Sequence, residues 1–141
     1  MSQDLVSAEN LIHAYVRSQA IADGILVDVT ERAKELGFKW PVALTRAVYT
    51  DCVEWTDADN DRKGALQDES GRLHDVLWMA SLAARSSSGR RTPVTLYRVP
   101  REGAGRKPRL VRLEMVITVE PVAHIENTPE PVITIQFPGE D

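Results

Sequence analysis

A chain of 141 residues, 43% hydrophobic and 27% charged, has the size and composition of one folded domain and excludes wholesale disorder. Its net charge of −4 hides a partition: residues 85–113 carry +8 between flanks of −6 each, so neither uniform acidity nor uniform basicity describes it. One cysteine, Cys52, excludes an intramolecular disulfide, and the acidic start Met-Ser-Gln-Asp-Leu and the short apolar runs predict a cytoplasmic protein without secretory signal or membrane span.

Residues 7–22 read as an amphipathic helix, with Leu11, Ile12, Tyr15, Val16 and Ala20 on one face and Asp23-Gly24 as its stop. Ile25-Leu26-Val27 is a short apolar link or strand. Asp28 can cap a helix over 29–36, with Glu31 completing a capping box and Gly37 closing it. Pro41 suits the first position of a third helix, in which Leu44, Ala47, Val48, Cys52 and Trp55 form an apolar stripe. The polar run 56–71 reads as a loop, with one helical turn near Ala65. A fourth helix spans Arg72 to about Arg85, with Leu73, Val76, Leu77 and Ala80 inward and Trp78 and Met79 broadening that side.

After Ser86-Ser87-Ser88-Gly89 the period changes to two. Val94 and Leu96 alternate with Thr95, Tyr97 and Val99; a turn follows over 100–105. In the strand 109–120, Val111, Leu113, Met115, Ile117 and Val119 should face the core. A last strand over 132–137 lies between Pro131 and Pro138, which suits a sheet edge, and an edge there offers a route to a homodimer. The expectation is one α+β domain over 1–141: about four helices in residues 1–86, packed on a three-stranded antiparallel sheet in residues 92–138.

No pattern here carries catalysis. Asp57, Asp59 and Asp61 have the spacing of the first ligands of a calcium loop, but Arg62 stands where glycine is needed and Asp68 where a bidentate glutamate belongs. A solvated acidic segment is the better reading. His13, His74 and His124 lack ligand spacing. Cys52 sits late in its expected helix, where the dipole opposes a thiolate, and reads as a core residue. His74 and Asp75, adjacent on a helix, do not face each other. The turns 87–91 and 103–107 lack the spacing of a phosphate loop. No enzyme, cofactor or metal is expected.

The basic segment has two readings. Arg85, Arg90, Arg91, Arg98, Arg101, Arg106, Lys107, Arg109 and Arg112 can present a nucleic-acid surface, with Tyr97 as a stacking face. Alternatively they form a hairpin balanced by the chain's own acids or by an acidic partner. Trp40, Trp55 and Trp78 read as core, or as hot spots where exposed.

Four phrases go further: Leu-Ile-His-Ala-Tyr (11–15) running into Asp-Gly-Ile-Leu-Val-Asp-Val (23–29), Gly-Phe-Lys-Trp-Pro-Val-Ala-Leu-Thr (37–45), Gly-Arg-Leu-His-Asp-Val-Leu-Trp-Met-Ala (71–80), and the ending from Glu130 to Asp141. With these the chain resembles a family of small uncharacterised proteins encoded on bacterial plasmids, integrative elements and phages. The resemblance brings no catalytic residues. It implies an accessory protein of a mobile element, of the kind that blunts host restriction or CRISPR systems. The leading expectation is therefore a non-enzymatic binding protein, monomer or homodimer, whose partner is a host or element-encoded complex. Its contacts would be the acids Asp57, Asp59 and Asp61 and the basic residues Arg90, Arg91, Arg101, Arg106, Lys107 and Arg109. The alternative is a nucleic-acid-binding accessory protein using residues 85–112.

Overall fold

The computed structural model describes residues 17–121 and 129–140. Residues 17–22 are helical (α1) and stop where expected: the Ile25 amide bonds to the Ala20 carbonyl, and Gly24 takes a φ of 78° that side-chain-bearing residues avoid. Residues 7–16 of the expected helix, with His13, lie outside the described residues.

The link after Gly24 is a strand, β1 (Leu26–Asp28). Asp28 then starts helix α2 (Thr30–Glu35) by accepting from the Thr30 amide at 3.1 Å and hydroxyl at 2.5 Å; the capping box with Glu31 does not form. The Thr30 hydroxyl oxygen in turn accepts from the Val42 amide, which ties α2 to the next strand.

The largest departure from expectation falls at residues 41–45. Pro41 opens not a helix but strand β2 (Val42–Thr45), and its carbonyl accepts from the Ile133 amide. Val42, Ala43 and Leu44 are all fully buried, as residues on both faces of an interior strand must be. The helix begins only after Thr45, whose hydroxyl caps it by accepting from the Val48 amide. One turn, α3 (Arg46–Val48), passes directly into a π-helical turn (Tyr49–Val53). The segment expected as a loop carries helix α4 (Asp57–Lys63), started by a capping box between Thr56 and Asp59 and ended by Gly64. Helix α5 (Glu69–Arg85) follows from an Asp68 cap and buries Leu73, Val76, Leu77 and Ala80 as expected.

The hairpin β3 (Arg91–Arg98) and β4 (Arg109–Pro121) is antiparallel, and β5 (Pro129–Gln136) returns antiparallel to β4. The sheet, however, is not a three-stranded meander. It has five strands in the order β1-β2-β5-β4-β3, with β2 and β5 parallel and the other pairs antiparallel. The strand 132–137 is therefore central and not an edge. Val132, Ile133, Ile135 and Gln136 are buried on both faces, and the strand is hydrogen-bonded on both sides, which removes the dimer route through it. Among the described residues the edges are β1 and β3.

One face of the sheet carries the core. Val42, Leu44, Ile133, Ile135, Leu113, Met115, Val94 and Leu96 pack under α2, α5 and the π turn. Val111, Leu113 and Met115 face it as the alternation predicts, whereas Val119, at the far end of β4, is exposed. On the second face α1 crosses β5, where Arg17 donates to the Thr134 hydroxyl at 2.9 Å and the Ile133 carbonyl at 3.0 Å.

Because Leu44 packs in the interior strand pair β2–β5, Leu44→Ala should destabilise the protein by about 3 kcal/mol, as read by urea unfolding.

Candidate functional site

The two charged segments singled out in the sequence meet. Helix α4 docks on the turn between β3 and β4. Arg62 donates to the Arg101 and Gly103 carbonyls, and the buried Lys63 ammonium donates to those of Glu102, Gly103 and Gly105. At the centre lies Asp59, 5% exposed. Its carboxylate accepts from the Thr56 amide at 2.8 Å, from Arg62 at 2.9 Å and from Arg101 at 2.8 Å. Hydrogen bonding by Arg62 first, then by Thr56 and Arg101, holds the Asp59 carboxyl well below the usual carboxylate range against the opposing effect of burial. Burial lowers the Lys63 pKa, and the bond to Asp59 raises that of Arg101. Arg101 also reaches Glu54 at 2.5 Å.

A second pair lies beside this one: Arg98 grips Asp51 with two bonds, at 2.9 and 3.0 Å. Farther along the hairpin, Arg91 pairs with Glu114 across the strands. Asp59 and Arg101 are thus interior connections, and Asp57 and Asp61 remain exposed on α4. Arg90, Arg106, Lys107, Arg109 and Arg112 are exposed.

The π turn brings the Asp51 carbonyl to Arg72 of α5. This guanidinium is buried, stacks on Trp55 with its carbon 4.4 Å from the ring centroid, and donates to the carbonyls of Asp51 and Val99 and to Gln67. Burial lowers its pKa. Cys52 lies in the same wall. Burial first, and then Asp51, pushes its thiol up to about 12, which leaves it protonated and without nucleophilic character at neutral pH. Among the described residues no group of His, Cys, Asp and Glu has the arrangement of a metal site. His74 stacks on Trp78 instead (ring centroids 6.3 Å apart), and His124 lies outside the described residues.

Sequence reading missed a groove of about 280 Å³ between α5 and the β3 edge. Trp78 and Met79 form one wall, Tyr97 and Leu110 the other, and Asp75 lies at its rim. Trp78 is 42% exposed, Tyr97 69% and Leu110 46%. Trp78 sits on the flank of α5 that overhangs the edge strand, not on its core stripe. Tyr97 and Leu110 are cross-strand partners on the face opposite the core, and Arg112 stands next along that face, across from Thr95. The one sequence signal for it is Leu110 among the polar set of β4, opposite an aromatic residue.

A five-stranded mixed sheet with helices on the core face and α1 on the other defines an α+β protein, with a surface groove between α5 and the β3 edge. The chain belongs to DUF6573, a family of unknown function, whose match covers residues 2–141. No curated protein and no solved structure matches it. Among the described residues no helix is long and apolar enough to cross a membrane.

Two outcomes follow from these environments. Because the folded Asp59 pKa is depressed, its network contributes fully above about pH 4, the unfolded value, and that contribution is lost as pH falls through the acid range. Asp59→Asn should lower Tm at pH 7 and shrink the fall in Tm between pH 5 and pH 2, measured by circular dichroism melts. Cys52 should resist a thiol reagent at pH 8 in the native protein and react at once in denaturant.

Proposed function

We propose that the chain is a non-enzymatic accessory protein of a mobile genetic element that binds a protein complex, a host restriction or CRISPR assembly being the class of target, through the groove beside β3. The observation that carries the binding role is the convergence of exposed Trp78, Tyr97 and Leu110 on one groove with arginines at its margin. Trp, Tyr and Arg are enriched among the residues that dominate interface energies, Trp and Tyr because each buries a large area with little loss of side-chain freedom. Scattered exposed apolar residues need no explanation; three large ones lining one groove do. The origin and the class of target rest on the phrase resemblance at residues 11–29, 37–45, 71–80 and 130–141.

The internal use of Asp59 shifts the contact surface away from the acidic triplet. Asp57 and Asp61 remain outward, but reversal of Asp59 would disrupt the fold before it reported on a partner. The nucleic-acid reading keeps one supporting observation, the exposed Arg106, Lys107, Arg109 and Arg112 close to Tyr97. Against it, one face of Trp78 is already covered by His74.

The test is capture of partners from bacterial lysate by the tagged protein and by its Trp78→Ala/Tyr97→Ala variant, each with and without nuclease, followed by reconstitution with the purified partner. The proposal expects a nuclease-resistant protein partner whose affinity falls about thirtyfold in the variant, the loss of one hot spot, with Tm little changed. Recovery that disappears with nuclease would move the function to nucleic-acid binding.

A further inference from the structure

The edge strand that forms one side of the groove has backbone groups to offer. In an antiparallel ladder alternate residues turn their N–H and C=O toward the partner strand and the rest turn them away. The Ile117 amide bonds to the Arg90 carbonyl, which fixes the phase: Thr92, Val94, Leu96 and Arg98 bond to β4, and Arg91, Pro93, Thr95 and Tyr97 point outward. Among the described residues no strand lies beyond β3. Pro93, which has no N–H, falls in the outward set and blunts that half of the edge. Thr95 and Tyr97 are left, and they are the two residues beside the aromatic groove.

We infer that this edge accepts an extended acidic segment of a protein partner as an added strand, bonded to the backbone of Thr95 and Tyr97, with apolar side chains toward Trp78, Tyr97 and Leu110. The inference rests on the binding role proposed above and specifies its ligand. Strand addition takes affinity from main-chain bonds and selectivity from pockets for alternate side chains, and this site has both parts. The sign of the partner's charge follows from the margin: Arg112 follows Leu110 on the same face, Arg109 precedes it on the other face, and Arg106 and Lys107 lie on the adjoining turn, all exposed. Acidic side chains between the apolar ones meet these cations, which raises the association rate and rejects basic segments. A second copy of this chain is a poor occupant. Pairing two β3 edges along residues 91–97 brings Pro93, which has no N–H, into the ladder twice. Nucleic acid can take single amides on its phosphates, but it does not offer the alternating N–H and C=O groups that this edge presents.

The experiment selects from a displayed library of extended peptides, about nine residues long, with glutamate alternating with positions open to apolar residues; a lysine-based library and labelled oligothymidylate are the comparison probes. Selected peptides are measured by fluorescence anisotropy in two N-methylated versions, one blocking the odd amides and one the even. The protein's own amides are followed by hydrogen exchange. Expected are binding by acidic peptides, loss of at least tenfold in affinity with Tyr97→Ala, loss in one N-methylated series and not in the other, and at least tenfold slower exchange at Thr95 and Tyr97. Thr95→Pro, a change of the kind Pro93 already makes in this strand, should weaken binding to a similar degree. Equal binding by both N-methylated series, or by lysine peptides, overturns strand addition by an acidic segment. The groove itself then survives if Tyr97→Ala still weakens capture of the whole partner. An empty selection also overturns the inference, and oligothymidylate binding without peptide binding overturns the protein-binding role with it.

Discussion

The arrangement depends on where the basic end of the β3–β4 hairpin finds its countercharge. A run of arginines at a turn repels itself, and left in water it would splay the hairpin. Here Asp59 meets Arg101, Asp51 meets Arg98 and Glu54 meets Arg101, so the acidic first half of the sequence is folded onto the basic second half. The capping box of α4 aims the Asp59 carboxylate before Arg101 arrives, because the Thr56 amide and hydroxyl hold the same oxygen that Arg101 uses. Helix start and hairpin end therefore share an atom. Ion pairs in open water contribute little, but Asp59 is enclosed, and removing it would leave Arg62 and Arg101 without the carboxylate they share.

Lys63 extends the same device by one helical turn. Its ammonium satisfies three backbone carbonyls of a turn that has no regular ladder of its own. A turn rich in glycine and arginine would otherwise be the most mobile part of the hairpin. Fixing it on one side sends the remaining positive charge, from Arg106 to Arg112, to the other. The charge partition visible in the sequence thus becomes a cluster of paired charges at one place and a basic margin at another.

What the sequence reveals tracks the length of each pattern. Residues 91–98 and 109–117 alternate for long enough that the core-facing sets Val94, Leu96 and Val111, Leu113, Met115 can be read directly, and α5 repeats its apolar stripe over several turns. Strand β2 has four residues, and Leu44 happens to fall in helical phase with Ala47, Val48, Cys52 and Trp55, so the helical pattern runs backward over a strand. Its partner in the sheet is parallel and distant, Val42 opposite Ile133, a pairing no local window contains. Without β2, strand β5 looks like an edge and its prolines look like edge residues. Asp57, Asp59 and Asp61 give a ligand-like spacing because spacing does not show that Thr56, Arg62 and Arg101 already occupy the middle carboxylate. Trp78 looks like core because its neighbours on α5 are; only the position of the sheet edge beneath it reveals the overhang.

The π turn explains why the groove should hold its shape. Inserting a wider turn at Tyr49–Val53 lets one residue, Asp51, face two ways: its carbonyl takes Arg72 of α5 and its carboxylate takes Arg98 at the end of β3. The helix that supplies Trp78 and the strand that supplies Tyr97 are therefore anchored to the same point, and Arg72 adds a direct bond from α5 to the Val99 carbonyl. Neither wall can move far without breaking a charge-assisted bond to Asp51. A surface held in this way loses little conformational freedom when a partner arrives, so more of the contact energy is left to appear as affinity. The same contacts bear on chemistry: Asp51 holds Arg98, the Asp51 and Val99 carbonyls and Gln67 hold Arg72 while its buried Nε has no partner among the described residues, and Cys52 beside them is kept protonated by burial. Asp51, Arg72 and Arg98 thus set the geometry of the groove between α5 and β3.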